Sequence, residues 1–457
     1  MSSMHRLLVA NRGEIAVRII RTAREMGIET ILACSEVDRE SLAAQLADEI
    51  AVIGPAPASK SYLDQQAVLE AARRSRADAI HPGYGFLSEN AGFARQVLDA
   101  GITWVGPSPE AIEQMGNKSQ ARQAARGAGV PTLRGTDGIL DPALRPEEVE
   151  QFGEQIGFPL VVKASAGGGG RGIRLVTSVK DLVQTVDLAR AEAAAAFGSP
   201  DVYLEQFIEQ ARHVEVQILG DGQQVIHLGD RDCSLQRRQQ KLVEEAPAPD
   251  LPEEVRSEIR NSSVQLALAC SYSGLGTVEF LYDPRSGQAA FIEMNTRLQV
   301  EHPVTELITG LDLVREQLLI AAGNPLRLGQ QDVTFNGHAF EFRLNAEDPA
   351  NNFMPSPGTL SRLQWPEGPG IRLDSGVRVG SAVAPFYDSL LAKIIVWDES
   401  RETALSRARR ALGEAEIEGV HTTLPLLKAL AARAELAEVS HHSKFIETNP
   451  DFWEVLA

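Results

Sequence analysis

The chain has 457 residues, 43% of them hydrophobic and 23% charged, which is enough for about three globular domains with buried cores. Its 62 acidic residues exceed its 44 basic residues, giving a formal net charge of −18, and this balance argues against broad binding to nucleic acid or anionic membranes. The three cysteines are widely spaced and form neither a disulfide framework nor a zinc pattern. With no signal peptide and no apolar run long enough to span a bilayer, the sequence predicts a soluble, cytoplasmic protein.

Short apolar runs alternate with helical patterns in the N-terminal part of the chain. Residues 7–10 read as a buried strand, which turns at residues 11–14 into a helix with the apolar positions Ile15, Ile19 and Ile20. Further strands are predicted at residues 30–33, 51–53, 79–80 and 103–105. Strands that alternate with helices indicate a parallel, doubly wound sheet. Because no GxGxxG motif follows the first strand, a dinucleotide-dependent oxidoreductase is a poor interpretation.

A domain boundary is predicted at residues 135–146, which are rich in Gly, Pro and Asp. Beyond it the sequence predicts, in chain order, a strand at 159–164, a glycine-rich loop, a strand at 173–177, a helix at about 180–196, strands at 214–219, 277–281 and 289–293, short strands between 334 and 397, and amphipathic helices at about 401–434. The alternation of apolar residues in the middle of this region predicts an antiparallel sheet.

The most distinctive local pattern is the glycine-rich stretch at residues 163–172, which reads KASAGGGGRG. Successive glycines allow backbone N–H groups to converge on an anion, and Lys163 on the preceding strand adds a positive charge. The motif is not a Walker A loop, because no Gly-Lys-Ser/Thr follows. A flexible hairpin turn is the alternative, but a mobile lid that closes over nucleotide phosphates and excludes water fits the pattern better.

Two carboxylates, Glu279 and Glu293, lie within or at the end of apolar strands, and Asn295 follows closely. Burying two acids together is costly unless a cation is present. Oxygen ligands from two glutamates and an asparagine suit Mg²⁺, which completes its coordination with nucleotide phosphates. A solvent-exposed face is the alternative for Glu279 alone, but the combination predicts a metal site.

Several charged positions are candidates for binding anions. Arg297 offers a planar fork for a small oxyanion, and Glu301 is a candidate general base near it. Arg343 lies among apolar residues on a predicted strand, where it requires an anionic partner, either a ligand or a structural carboxylate. Lys118 and the run at residues 236–241 are further basic positions, for which a solvated face is the alternative.

Six longer motifs carry a family resemblance. They are ANRGEIA at residues 10–16, HPGYGFLSEN at 81–90, KASAGGGGRG at 163–172, RDCS at 231–234, EMNTRLQVEHPVTE at 293–306 and NAEDP at 345–349. In this order they resemble biotin carboxylase, a member of the ATP-grasp superfamily, and the similarity runs from about residue 6 to about residue 447. The resemblance implies a combined α/β and α+β class with an ATP-grasp fold. The domains would be a Rossmann-like N-terminal domain at 1–116, an ATP-grasp domain at 117–333 with a mobile lid at about 135–204, and a mixed α+β C-terminal domain at 334–450.

The resemblance also implies roles for individual residues. Nucleotide contacts are expected from Lys118, Lys163, Gly167, Gly168, Gly169, Gly170, Gly172, Glu205, His213, Gln236, Glu279 and Glu293. The metal ligands would be Glu279, Glu293 and Asn295, the bicarbonate contacts Arg297, Gln299, Val300 and Glu301, and the biotin contacts Tyr84, Gly85 and Arg343. The catalytic set would be Glu301 as general base, Lys241 between ATP and bicarbonate, Arg297 in the bicarbonate cradle and Arg343 on the biotin enolate.

A reaction and a set of partners follow from the resemblance. The chain would carboxylate biotin with bicarbonate and ATP, aided by Mg²⁺ or Mn²⁺, through carboxyphosphate. No Met-Lys-Met sequence and no carboxyltransferase-sized segment occur, so biotin is expected on a separate carrier protein, with separate carboxyltransferase subunits and a homodimeric enzyme. The default acceptor is acetyl-CoA, for malonyl-CoA and fatty acid synthesis, and the alternatives are propionyl-CoA, longer acyl-CoA and pyruvate.

Two other functions compete with this interpretation. One is an ATP-grasp ligase that makes a different acyl phosphate, which would not need Arg297, Glu301 and Arg343 together. The other is an inactive nucleotide-binding protein, which the intact charged set argues against because unused buried charges are costly. Three departures from the family pattern concern nucleotide affinity rather than the reaction: Gln239, Asp230 and the Ser443-Lys444 pair.

Overall fold

The computed structural model describes residues 4–165 and 172–449. Its N-terminal elements are β1 (Arg6–Val9), α1 (Gly13–Glu25), β2 (Glu29–Ser35), α2 (Leu42–Leu46), β3 (Glu49–Gly54), α3 (Gln65–Arg74), β4 (Ala79–His81), α4 (Ala91–Asp99), β5 (Thr103–Trp104) and α5 (Pro109–Gly116). The five strands form a parallel sheet in the order β3-β2-β1-β4-β5. Leu7 and Val9 pack with α1, whereas Leu8 packs with α3 and α4, because successive side chains of a strand face opposite ways. The predicted doubly wound sheet is confirmed.

A small α/β unit follows the N-terminal sheet. Its elements are α6 (Lys118–Gly127), α7 (Pro146–Ile156), β6 (Leu160–Ala164), β7 (Ile173–Val176), α8 (Val179–Phe197) and β8 (Val202–Gln206). The strands form an antiparallel sheet in the order β7-β6-β8, and α7 and α8 bury their apolar faces in one cluster with it. The observed strands and the long helix agree with their predicted positions to within a few residues.

An eight-stranded antiparallel sheet dominates the rest of the chain. It begins with β9 (Arg212–Asp221), β10 (Val225–Arg237), β11 (Gln240–Ala246), α9 (Glu253–Ala269), β12 (Ser273–Asp283), β13 (Gln288–Asn295), α10 (His302–Thr309), α11 (Leu313–Ala321) and β14 (His338–Asn345). The strand order is β13-β12-β9-β10-β11-β14, continued by two strands from further along the chain. Because β11 pairs directly with β14, hydrogen bonding is continuous across the domain border predicted at residue 333. The predicted antiparallel sheet is confirmed, and the domain limits stay a prediction.

The C-terminal part completes the large sheet and covers it with helices. Its elements are β15 (Glu347–Asp348), β16 (Met354–Pro355), β17 (Gly358–Thr359), β18 (Arg362–Gln364), β19 (Ile371–Ser375), β20 (Ala382–Val383), β21 (Leu390–Asp398), α12 (Arg401–Glu414), β22 (Glu416–Glu418), α13 (Leu424–Ala432), α14 (Ala434–Ala437) and α15 (Phe445–Thr448). Strands β21 and β19 extend the sheet beyond β14. The predicted short strands and closing helices are present, with β22 between α12 and α13. Across residues 4–165 and 172–449, the helices are too short or too polar to cross a membrane.

Candidate active site

A cavity of about 1150 Å³ lies where the N-terminal sheet, the small α/β unit and the large sheet meet. Its volume suits a nucleotide together with small substrates. Among the described residues predicted for a site, those that line it are Tyr84, Gly85, Lys118, Lys163, Glu205, His213, Gln236, Lys241, Glu279, Glu293, Asn295, Arg297, Gln299, Val300, Glu301 and Arg343. Gly172 lines a separate open pocket on the small unit instead. The other predicted glycines, at positions 167–170, lie outside the described residues.

A row of carboxylates crosses three neighbouring strands at the floor of the cavity. Glu215 on β9 is the register partner of Glu279 on β12, which in turn is the partner of Glu293 on β13. Directly opposed residues of antiparallel strands point to the same face, so these three side chains are neighbours. Asn295 Nδ2 donates to Oε1 of Glu279 at 2.8 Å. The chain therefore brings together the three predicted metal ligands, although they lie on two strands.

The charge state of this row fits a cation site. Burial and the charge of Glu279 raise the pKa of Glu293. Burial also opposes ionisation of Glu279, but the nearby charges of Lys241 and His213 outweigh it and hold the pKa of Glu279 below its ordinary value. The Nε2 atom of His213 lies 3.0 Å from Oε2 of Glu279. Two carboxylates and an amide oxygen are hard oxygen donors, the set that Mg²⁺ prefers, so the residues present fit this ion.

Lys241 connects the carboxylate row to the predicted base. Its Nζ atom lies 2.7 Å from Oε2 of Glu215, 3.4 Å from Oε1 of Glu279 and 2.5 Å from Oε1 of Glu301. Burial disfavours the charged ammonium, but the surrounding acidic groups outweigh it and raise the pKa of Lys241 well above its ordinary value. The lysine is therefore a permanent cation inside the cavity.

Glu301 stands at the start of α10 between two cations. Its Oε2 atom accepts a hydrogen bond from Nη2 of Arg343 at 2.9 Å, opposite the contact with Lys241. Burial opposes ionisation, but the charges of Lys241 and Arg343 hold the pKa of Glu301 well below its ordinary value. A second carboxylate fixes the guanidinium of Arg343, because its Nε atom donates to Oε1 of Glu244 at 2.5 Å. This arrangement joins three of the predicted catalytic residues in one contact network.

Arg297 is fixed in the cavity by three side chains. Its Nε atom donates to Oε2 of Glu89 at 2.8 Å, Nη1 donates to Oε1 of Gln299 at 2.8 Å, and Nη2 donates to Oδ1 of Asn295 at 3.1 Å. The amide of Gln299 also donates to Oε1 of Glu279 at 3.2 Å. The predicted bicarbonate cradle is thus linked by hydrogen bonds to the predicted metal ligands.

The cavity lining includes apolar side chains that suit a nucleotide base. They are Leu133, Val161, Phe207, Leu281 and Ile292. Lys163, also in the lining, forms an ion pair with Glu205, whose other oxygen lies 2.8 Å from Nη1 of Arg122. The predicted nucleotide contacts Lys163 and Glu205 therefore meet each other, and their roles toward the nucleotide stay predictions.

Sequence reasoning missed several residues that hold this site together. Glu215 and Arg231 are fully buried, and Nε of Arg231 donates to Oε1 of Glu215 at 2.6 Å. Glu244 and Glu89 hold the two arginines at the cavity. Arg231 and Glu89 lie inside recognised motifs, and Glu215 interrupts an apolar strand, which was an available signal for a buried charge.

Comparison with known proteins identifies the family. The sequence matches the descriptions "Biotin carboxylase, N-terminal domain" over residues 3–112, "Carbamoyl-phosphate synthase L chain, ATP binding domain" over 117–329 and "Biotin carboxylase C-terminal domain" over 341–448. It is 48% identical to biotin carboxylase 1 of Bacillus subtilis over 444 residues, covering 97% of this chain and 98% of the relative. The chain belongs to the biotin carboxylase family.

Other members of the biotin carboxylase family serve different carboxylases. The chain is 45% identical to a pyruvate carboxylase subunit of Methanothermobacter thermautotrophicus over 444 residues, covering 97% of this chain and 89% of the relative. Among solved structures it is similar to the biotin carboxylase domain dimer of Hydrogenobacter thermophilus 2-oxoglutarate carboxylase, in complex with MgADP, ADP and bicarbonate. That likeness has a TM-score of 0.91 and 46% identity, and it covers 99% of both chains. The ATP-grasp fold predicted from the sequence is confirmed.

The departures from the biotin carboxylase family pattern fall in two places. Gln239, Ser443 and Lys444 line the cavity, and the ammonium of Lys444 lies 4.3 Å from the ring centre of Phe207. Asp230 is buried away from the cavity lining and accepts hydrogen bonds from two arginines of α9, Arg256 and Arg260. The first group can therefore affect nucleotide binding directly, whereas Asp230 supports the packing of α9 on β10.

Proposed function

We propose that this chain catalyses the ATP-dependent carboxylation of biotin with bicarbonate. The observation that supports it is Glu301 held between Lys241 and Arg343, beside a carboxylate row that fits a magnesium ion. This combination provides a base, two cations for developing negative charge and a metal-binding edge within one cavity. An ATP-grasp ligase of another kind shares the metal-binding edge but has no use for the pair formed by Glu301 and Arg343.

The nucleotide would lie along the cavity with its base against the apolar lining residues and its phosphates toward the carboxylate row. Lys118 and Lys163 also line the cavity and would neutralise phosphate charge. Glu279, Glu293 and Asn295 would hold Mg²⁺, which neutralises charge on the phosphate oxygens during phosphoryl transfer. Manganese is an alternative ion for the same oxygen donors. His213 and Gln236 would contact the nucleotide from β9 and β10.

The first chemical step would join bicarbonate to the γ-phosphate. Bicarbonate would sit against Arg297, Gln299 and Val300, and Glu301 would take its proton. The freed oxygen attacks the γ-phosphorus, the bond from phosphorus to the bridging oxygen breaks, and carboxyphosphate and ADP form. Glu301 is a weak base while two cations hold it, but an anion that arrives beside Lys241 competes for the positive charge and raises the basicity of Glu301.

The second step would transfer the carboxyl group to biotin. Carboxyphosphate breaks into CO₂ and phosphate, and the phosphate takes the proton from N1′ of biotin. Arg343 would stabilise the negative charge on the ureido oxygen while N1′ bonds to the carbon of CO₂. Tyr84 and Gly85 line the same cavity as Arg343 and would contact the ring. Closure of the cavity protects both labile species from water.

The partners follow from the half-reaction. Biotin would be attached to a separate carrier protein, and separate carboxyltransferase subunits would pass the carboxyl group to the acceptor. Acetyl-CoA is the acceptor that we propose, in malonyl-CoA and fatty acid synthesis. Pyruvate and other acyl-CoA acceptors are the alternatives, because relatives from pyruvate and 2-oxoglutarate carboxylases are similar over nearly the whole chain. A homodimer is expected, since the similar 2-oxoglutarate carboxylase domain is a dimer.

Free biotin provides a direct test of the reaction. The purified chain is incubated with ATP, Mg²⁺ and bicarbonate, and ADP release is measured with and without biotin. We expect biotin to stimulate ADP release only when bicarbonate is present. Equal rates with and without biotin would support another ATP-grasp ligase. The acceptor is identified separately, by isolating the endogenous biotinylated carrier with its transferase.

A further inference from the structure

Lys393 is a completely buried lysine on the same sheet face as Arg343. It lies on β21 and is the register partner of Arg343 on β14 and of Asp374 on β19. Its side chain is 0% exposed. Opposed residues on antiparallel strands share a face, so Lys393 points to the same side of the sheet as Arg343.

The ammonium of Lys393 contacts two groups that line the cavity. Its Nζ atom donates to the carbonyl oxygen of Val300 at 2.8 Å, in the predicted bicarbonate cradle next to Glu301. The same atom lies 3.2 Å from Oε1 of Glu14, at the start of α1. That carboxylate also accepts a hydrogen bond from the hydroxyl group of Tyr84, at the predicted biotin end. One buried cation therefore connects Val300, a predicted bicarbonate contact, with Tyr84, a predicted biotin contact.

A purely structural role does not require a buried lysine surrounded by carboxylates. Burying a lysine with carboxylates is often no more stabilising than an apolar cluster of the same size. Glu14 is only 2% exposed, and Oε2 of Glu14 has no hydrogen-bond partner among the described residues. Glu341, fully buried on the same sheet face, adds a second carboxyl group near the lysine. A buried network of charges in which Lys393 contacts both Val300 and Glu14 suits a group that must hold a backbone carbonyl and a tyrosine at fixed positions.

We propose that Lys393 is a positioning residue that sets the Val300–Glu301 backbone and, through Glu14, the hydroxyl group of Tyr84. It couples the position of bicarbonate to that of biotin without touching either substrate. The inference rests on the proposed function, because it assigns the two ends of the cavity to these substrates. It predicts that loss of the lysine affects both of them, whereas loss of the Tyr84 hydroxyl affects biotin alone.

The test is a double-mutant cycle read in steady-state kinetics. Lys393→Met removes the charge but keeps an unbranched side chain, and we expect KM for bicarbonate and KM for biotin each to rise about tenfold, with KM for ATP unchanged. Tyr84→Phe should raise KM for biotin and leave KM for bicarbonate unchanged. Because both changes break one connected unit, the double variant should have the same KM for biotin as Lys393→Met.

Lys428→Met is the matched control. Lys428 on α13 also donates to a backbone carbonyl, that of Ala415 at 3.4 Å, but it does not line the cavity. We expect wild-type kinetics for this variant. If Lys393→Met does not unfold cooperatively on heating, Glu14→Gln replaces it in the double-mutant cycle. This substitution removes the carboxylate that pairs with Lys393 and keeps the size of the side chain.

The outcomes separate this inference from the proposed function. Hydrolysis by the wild-type chain at equal rates with and without biotin would remove the proposed function itself. If biotin stimulates the wild-type chain, two results would overturn the positioning role alone. One is unchanged KM values in Lys393→Met. The other is a double variant whose rise in KM for biotin is the product of the rises in the two single variants. A uniform fall in kcat with unchanged KM values would also overturn it, since that indicates general destabilisation.

Discussion

The ammonium of Lys241 lies 2.5 Å from a carboxylate oxygen of Glu301 inside the cavity. The residues come from β11 and from the start of α10, 60 positions apart in the chain. The charge of Lys241 helps to keep the carboxyl group of Glu301 ionised. In the proposed mechanism a substrate anion competes for the lysine, so the same carboxylate is charged at rest and accepts a proton during the reaction.

Glu301→Gln removes the proposed base while it keeps the size of the side chain. We expect biotin-dependent ATP hydrolysis to fall about 100-fold or more, the usual contribution of a positioned general base. ADP should bind as it does to the wild-type chain, because the predicted nucleotide contacts Lys118, Lys163 and Glu205 are unchanged. Rates come from an ADP-release assay and binding from thermal shift. Near wild-type turnover would refute the assignment, and Glu402→Gln on the surface of α12 is the control.

Arg343→Ala separates the two chemical steps. The variant should lose most biotin-dependent hydrolysis, because the proposed second step needs the guanidinium beside the ureido oxygen of biotin. Slow hydrolysis with bicarbonate alone should persist, since the proposed first step uses Glu301 and Lys241. Both hydrolysis rates, with bicarbonate alone and with bicarbonate and biotin, are measured in one enzyme preparation. An equal loss of both rates would place Arg343 in the first step instead.

Glu293→Gln tests the metal-binding edge. Adding Mg²⁺ to the wild-type chain should increase the thermal stabilisation produced by ADP, because an ion held by Glu279, Glu293 and Asn295 would also neutralise phosphate charge. In the variant, the Mg²⁺ concentration needed for half of this increase should rise about 10- to 100-fold. Stabilisation by ADP with a chelator should not fall in the variant, because loss of a carboxylate charge does not weaken attraction for phosphates. A variant with wild-type Mg²⁺ dependence would place the ion elsewhere.

The carboxyl group of Glu244 gives a prediction for pH. Burial raises its pKa from 4.5 to about 7, against the opposing charge of Arg343. A raised pKa in the folded state stabilises the protein at low pH, and this contribution is lost as the pH rises through about 7. Glu244→Gln stays neutral at every pH. The melting temperature of the wild-type chain should therefore fall relative to that of Glu244→Gln between about pH 5 and pH 8. The opposite trend would contradict the assignment.

The residues of the site differ in how far the sequence could predict them. Lys163, Glu279 and Glu301 lie in motifs whose residue types and order are distinctive, so they could be named in advance. Glu244 and Lys393 could not, because each lies in an ordinary strand pattern. Their importance comes from contacts with residues distant in sequence, Arg343 for Glu244 and Val300 for Lys393. Strand register decides which residues face each other, and it depends on long-range pairing.

The sequence by itself determined the alternation of elements, the parallel N-terminal sheet and the chemistry that a cavity would need. These properties depend on local periodicity and on residue types that suit phosphates, metals and oxyanions. Only the tertiary structure decided that Lys241 contacts Glu215, Glu279 and Glu301 at once, and that β11 pairs with β14 across the predicted domain border. Contacts between distant strands depend on which strands pair, in which register, and on which charges are buried together. No local sequence pattern contains that information.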